Sequence, residues 1–420
     1  MLDVYLHHRR IGTLAARGRG VRFTYAADAL DDDGTPPLSL ALPKQEAPFP
    51  DSRAGPYFRN LLPEQAFRRL VAAAAGTTPE NSLDLLGAIG GECPGAVSLW
   101  PQGVHVPRTA RYQDLDPSDL IALFSPHQPP PLPTAVARGR LSLPGVQEKV
   151  ALLRRAHARW ALPVNGAVTS HILKQAAESL PGLFENELLA MTLARGAGLE
   201  AAHCEPVAPE RRVLSVERFD RVKADARGGR LRKLHQEDLC QVLGTEPDRK
   251  YESDGGPGFK ACAAALRRHS ALPALDLERL VRWAGFNYTI GNEDAHAKNL
   301  ALLHRDDGLC LAPHYDLVST EIYRGLERRM AMKIGGATDI RNVQGNDWER
   351  FARALAVEWP LVRVWLLETM DAVRAALPST LARSRAASGE SPAYAKIAAV
   401  VSRRTAQLEH ELVRRSRTGR

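Results

Sequence analysis

The chain has 420 residues, 44% hydrophobic and 25% charged, with a formal net charge of +8; these are globular proportions, which exclude wholesale disorder, and the length exceeds one small module. No apolar run approaches the roughly 18–20 residues of a spanning helix, and the opening MLDVYLHHRR lacks an apolar stretch behind its basic residues, so neither a membrane span nor a secretory leader is expected. The five cysteines are scattered and never form C-x-x-C, which argues against a disulfide framework or a zinc ribbon and for a soluble, cytoplasmic, multi-domain protein.

Residues 1–26 alternate like short strands, and helical periodicity follows at about 64–75 and 82–89, before Gly-rich GAIGGECPGAV and strand-like VSLW. This predicts an N-terminal α+β domain over residues 1–105. HQPPPLPT suits neither a helix interior nor a central strand, so residues 106–138 read as a Pro-rich linker. Over 139–235 strand-like runs (KVALL, WALP, SHILK, RVLSVERF) surround one helix, ELLAMTLARGAG. From 236 to 420 nearly everything has helical period, with one strand-like pair at NLALLH and CLAPHYDLV. The predicted class is α+β: a strand-rich lobe followed by a helical lobe, an order that implies a cleft between them.

Charge is concentrated at the end: between Arg383 and Arg420 there are nine basic residues and three acidic ones. A terminal basic block is the footprint of a polyanion contact or, more plainly, a solvated helix face. Arg outnumbers Lys 46 to 10, yet Lys149, Lys174, Lys298 and Lys333 fall in or beside the motifs below, where a compact ammonium is useful.

The strongest motif is GNEDAHAKN, residues 291–299, between a long amphipathic helix and a short apolar strand. Asp294 and Asn299 are five apart, the spacing of base and metal-holding Asn in a kinase catalytic loop, and Asp316 of HYDL follows across a hairpin as the second metal ligand. Phosphoryl transfer needs this grouping: a base for the hydroxyl, and oxygen ligands for Mg²⁺ on the phosphates. Upstream, SLPGVQEK (142–149) lies between strand-like runs where backbone N–H groups can cover phosphates, Lys174 closes SHILK, and VERF (216–219) sits where backbone meets adenine. Singly, an Asp and Asn in a turn are more often caps, Lys174 a surface lysine and Ser142 a turn serine. His296 and His314 lack the spacing and the Cys neighbours of a zinc site. Four parts in kinase order indicate a phosphotransferase.

SLPGVQEK, SHILK, FENELLAMTLA, VERFDR, HQEDLCQVLG, KYESDGGPG, GNEDAHAKN and HYDLVS together closely resemble the HipA family of bacterial serine/threonine kinases, the toxins of HipBA-type toxin–antitoxin pairs. FTYAADAL, PLSLALP, FRNLLPE and LLGAIGGECPGAV resemble that family's N-terminal domain, so the resemblance spans roughly residues 2–340. It implies a HipA-like kinase fold with ATP and Mg²⁺ as cofactors. Asp294 would be the catalytic base, and Asn299 and Asp316 would hold Mg²⁺. His296, Lys298 and Tyr315 would lie along the nucleotide, and Lys174 would contact its phosphates. Pro144, Gly145, Val146, Gln147, Glu148 and Lys149 would form the phosphate loop, and Glu217, Arg218 and Phe219 would hold adenine. Ser142 would be an autophosphorylated serine whose modification ejects the loop. Pro144 departs from the family's Ala and removes one backbone donor. The implied partners are a HipB-like helix-turn-helix antitoxin, operator DNA through that complex, and a protein substrate such as glutamyl-tRNA synthetase or another aminoacyl-tRNA synthetase. Two other functions fit the same residues: a small-molecule or lipid kinase, and a DNA- or antitoxin-binding co-repressor.

Overall fold

The computed structural model describes residues 1–414 apart from 19, 108, 125–131, 146, 177–178 and 225–230. The chain divides into two compact units that are not successive in sequence.

The first unit comprises Met1–Gln175, Ser215–Asp248 and Leu303–Arg305. Its N-terminal sheet has the antiparallel order Gly20–Tyr25, Arg9–Arg17, Leu2–Leu6, Val97–Pro101. Period-2 alternation buries Leu2, Val4 and Leu6 on one face, and Phe23, Tyr25, Phe49 and Phe58 form an aromatic core beneath the Asp51–Arg59 helix. Four successive strands of a second, six-stranded sheet run Arg111–Leu115, Trp160–Val164, Lys149–Arg154, His171–Gln175, each pair antiparallel.

The expected linker over 106–138 is corrected by this sheet. Arg111–Leu115 pairs with Trp160–Val164 along its whole length, and helices Pro117–Leu123 and Leu132–Gly139 follow. Proline misled the reading because it is tolerated in a helix's first turn, where its missing N–H has no partner to lose. Pro117 stands there behind an Asp116–Asp119 capping box, and Pro133 stands in the first turn of the next helix. Residues 127–131 of HQPPPLPT lie outside the described residues.

The divisions expected at 105 and 235 also fall elsewhere, because a buried ion network fastens the N-terminal segment to the strands that follow. Glu92, with no exposed surface, accepts from Arg221 at 2.9 Å and Arg218 at 3.3 Å and pairs with Lys233. Asp220 pairs with Arg218 at 2.9 Å and accepts the Gly95 N–H at 2.6 Å. Burial alone raises the Glu92 pKa, but Arg221, Lys233 and Arg218 outweigh it and hold the carboxyl down at about 2.

The second unit, Ala176–Leu214, Arg249–Leu302 and Asp306–Arg420, is mainly helical. Helices Leu183–Gly196, Pro273–Ile290, Trp359–Ser388 and Pro392–Glu409 pack together, burying Leu189, Trp283, Phe286, Leu366, Met370, Ile397 and Val401. The basic terminal segment is partly internal: Arg404, 1% exposed, and Arg403 both pair with Glu321, and Arg385 pairs with Glu390. Among the described residues no helix is long and apolar enough to cross a membrane.

Candidate active site

In the second unit, the Pro273–Ile290 helix ends on Gly291, whose φ of +68° is the left-handed cap that glycine adopts at low cost. The chain then turns into the loop on a chain of amide contacts. Asn292 N–H donates to the Asn287 carbonyl at 2.8 Å, and its side chain donates to Asn287 Oδ1 at 2.7 Å. Asn292 Oδ1 in turn accepts the Asp294 N–H at 3.1 Å. Asn292, Glu293, His296, Lys298 and Asn299 are buried, whereas Asp294 alone in this stretch is exposed. The turn therefore aims one carboxylate at solvent from a rigid base, the placement a general base needs. Tyr251 Oη donates to Asp294 Oδ1 at 2.9 Å, and its ring meets His296 edge-on at 5.7 Å.

Asn299 and Asp316, seventeen residues apart, are brought together: Asn299 Nδ2 donates to Asp316 Oδ2 at 3.2 Å, and Asn299 Oδ1 accepts the His296 N–H at 3.1 Å. Asp316 is exposed and holds φ at +60°, a strained conformation for a residue with a Cβ, costing about 1–3 kcal/mol. Tyr315 Oη donates to the Lys298 carbonyl at 2.7 Å, tying the two segments. The amide of Asn299 and the carboxylate of Asp316 are thus neighbours, and turning the amide oxygen toward Asp316 would give the oxygen ligands that a hard divalent cation such as Mg²⁺ takes. His314 does not belong to this set. It is 2% exposed, burial holds its pKa down at about 3, and its backbone pairs with Glu200 and Ala202.

The remaining predicted residues belong to the first unit. Lys149 and Lys174 are direct partners across the antiparallel strands, so their side chains share a face, and both are more than nine-tenths buried. Two cations on one face of a strand pair can address a single anion together, which is what a phosphate site requires. Lys149 Nζ donates to the Pro144 carbonyl at 2.8 Å and closes the loop. Gly145 has φ +104°, a conformation that residues with a Cβ rarely adopt and glycine adopts at low cost; its carbonyl accepts the Glu64 N–H. Pro144 and Gln147 are half-buried and Glu148 is exposed, whereas Val146 lies outside the described residues.

Ser142 is completely buried; Oγ donates to the Leu61 carbonyl at 2.7 Å, and its N–H donates to the Glu92 carbonyl at 3.0 Å. Glu217 is exposed and Phe219 half-buried, whereas Arg218 is buried, so its side chain is not open to a nucleotide. Its guanidinium is committed to Glu92, Asp220, Thr169 and the Cys93 carbonyl, and its N–H donates to Ser170 O. Tyr251, Asn287 and Glu92 were given no role from sequence. Tyr251 had a faint signal, since it lies in the motif KYESDGGPG.

Residues 141–379 match the HipA-like C-terminal domain and residues 2–100 match the HipA N-terminal domain. The chain is 39% identical over 388 residues to the putative kinase Y4mE of Sinorhizobium fredii, covering 91% of this chain and 92% of that protein. It is 28% identical over 361 residues to the serine/threonine-protein kinase toxin HipA of Shewanella oneidensis, covering 82% and 80%. Among solved structures, the complex of Shewanella oneidensis HipA, HipB and operator DNA superposes with a TM-score of 0.79 at 24% identity, over 99% of this chain and 97% of that one.

Proposed function

The chain belongs to the HipA family and is a protein kinase, and from that premise we propose that it moves the γ-phosphate of ATP to a serine or threonine of a protein, as the toxin of a toxin–antitoxin pair. The supporting observation is the pairing of Asn299 with Asp316 downstream of an exposed Asp294, three groups matched to the parts of phosphoryl transfer.

In this reading Asp294 accepts the hydroxyl proton as the substrate oxygen bonds to the γ-phosphorus. The bond from that phosphorus to the β–γ bridging oxygen breaks, and ADP leaves with the electron pair. Asn299 and Asp316 would hold Mg²⁺, which when bound would neutralise charge on the phosphates. Lys174 and Lys149 bind phosphate oxygens, the backbone of Pro144–Lys149 covers them, and His296, Lys298 and Tyr315 line the nucleotide. Glu217 and Phe219 flank adenine. Asp294 is poised for its role by Tyr251, whose hydroxyl occupies the acceptor that a substrate hydroxyl takes over.

Ser142 is the proposed autophosphorylation site. Its burial means that the segment must leave to be modified. Once phosphorylated it cannot return, because the phosphate brings about two negative charges and only acceptors to the Leu61 carbonyl that now accepts from Oγ. The kinase is then switched off.

The Shewanella complex contains HipB and operator DNA, and a HipB-like helix-turn-helix antitoxin and its operator are the proposed partners here, in the bacterial cytoplasm. An aminoacyl-tRNA synthetase, the glutamyl enzyme first, is the proposed substrate. Incubation with Mg-ATP and purified glutamyl-tRNA synthetase, followed by peptide mapping, tests the target: a phosphoserine on the synthetase and loss of tRNA charging are expected. An unmodified synthetase, beside a chain that phosphorylates other proteins, would reassign the target.

A further inference from the structure

Outside the proposed active site, one cluster of ligating side chains converges on a rigid strand pair of the first unit. His235 and Glu237 stand two apart at the Gln236–Asp238 strand and so share a face, and His304 stands on the paired strand, its N–H donating to the His235 carbonyl at 2.8 Å. His235 is 2% exposed, Glu237 fully buried, and the His304 side chain 18% exposed at the rim. One ligand atom from each lies within 4.8 Å of the other two.

The His304–Glu237 spacing and the separation of the two imidazoles suit a single first-row divalent ion. Metal–nitrogen and metal–oxygen bonds of about 2.0–2.2 Å at a tetrahedral angle put N and O roughly 3.4 Å apart, and two imidazole centroids roughly 5 Å apart. His304 Nε2 lies 3.4 Å from Glu237 Oε1, and the His235 and His304 rings are 4.7 Å apart between centroids. The surrounding backbone also orients these groups as it does around bound metals. The Leu38 carbonyl lies 2.9 Å from His235 Nε2, and the Leu40 N–H lies 3.2 Å from both Glu237 oxygens. With Nε2 on that carbonyl, His235 Nδ1 accepts the Ala96 N–H at a long 3.5 Å, and this is the bond that metal ligation replaces. His7, on the exposed turn between the first two strands, supplies a further imidazole within electrostatic reach of His304.

We propose that His235, Glu237 and His304 form a transition-metal site, with two imidazoles and one carboxylate selecting Zn²⁺ or a similar ion over the Mg²⁺ used in phosphoryl transfer. The site is structural: it cross-links the Gln236–Asp238 strand to the Ala301–Arg305 strand. It does not rest on the kinase reading, and its test does not read kinase activity.

The untagged full-length chain, stripped with chelator, is titrated with Zn²⁺ by calorimetry and with Co²⁺ by visible absorption. One saturable equivalent, with Co²⁺ bands of nitrogen–oxygen ligation, is expected. His304→Ala should weaken binding at least tenfold while circular dichroism stays unchanged, and His304→Gln, which keeps the side chain's length, should do the same if the alanine variant misfolds. Asp316→Asn should bind as the parent does. No saturable binding, binding undiminished in both His304 variants, or binding lost in Asp316→Asn instead would each overturn the proposal, leaving a hydrogen-bonded His–Glu pair.

Discussion

At the level of single residues, function depends on which groups are exposed and which are held. Asp294 is the exposed member of an otherwise buried loop, and its side chain's contacts include the Tyr251 hydroxyl. Asp294→Asn should therefore leave the thermal midpoint within about a degree while lowering the transfer rate about 10²–10⁴-fold, as loss of a general base does; a steady-state assay beside a melting curve checks both. Lys149 and Lys174 face each other across two antiparallel strands. Lys174→Met should weaken ATP binding at least tenfold by removing one of the two cations of the proposed phosphate site. The rise of the denaturant midpoint on adding ATP checks it; an undiminished rise in the variant would contradict it. Asp294, Asn299 and Asp316 were legible in the sequence because two of them share a nine-residue motif and the third follows one hairpin later. Tyr251 was not, since it stands 43 residues before the carboxylate it touches, and no local pattern marks that distance.

At the level of elements, the segment from Leu141 to Lys149 is held at both ends by groups outside it. The Leu61 and Glu92 carbonyls take Ser142, and Lys149 closes on Pro144. Ser142→Asp places a carboxylate against the Leu61 carbonyl and leaves an acceptor facing an acceptor, a cost of about 1–3 kcal/mol. Amide exchange over 141–148 should speed up while the Leu2–Leu6 sheet stays protected; unchanged exchange would show that the seat tolerates charge, and would remove the physical basis of the proposed switch. A second element, the Pro392–Glu409 helix, sends buried Arg404 to Glu321, whose N–H donates to the Gly291 carbonyl at the start of the 291–299 loop. Arg404→Ala removes the buried partner of Glu321 and leaves it the exposed Arg403 alone, which should cost about 1–3 kcal/mol by urea melt. The strands and long helices were legible from their periods of two and 3.6. The segment over 106–138 was misread because first-turn prolines look like breakers when the cap before them is not weighed.

At the level of the whole molecule, the two units interleave in sequence, which no composition shift reveals. What unites the first unit is a buried network whose members, Glu92, Arg218, Asp220, Arg221 and Lys233, are spread over more than a hundred residues. Each looks like surface charge in sequence. Its pH signature follows from Glu92, whose folded pKa of about 2 lies below the ordinary 4.5. A depressed carboxyl pKa stabilises the fold fully above the unfolded value, and that stability is lost as pH falls from about 4.5 through 2. Urea midpoints at pH 6 and pH 3 should drop less in Glu92→Gln than in the parent, from a lower starting value; equal drops would show that the network does not report on Glu92.

The central claim is phosphate transfer through Asp294, and intact mass of the purified chain before and after Mg-ATP tests it most directly, beside Asp294→Asn. Gain of a phosphate that maps to Ser142 and is absent from the variant is the predicted result. A chain that starts unmodified and gains nothing, or a variant that gains as much as the parent, would contradict it.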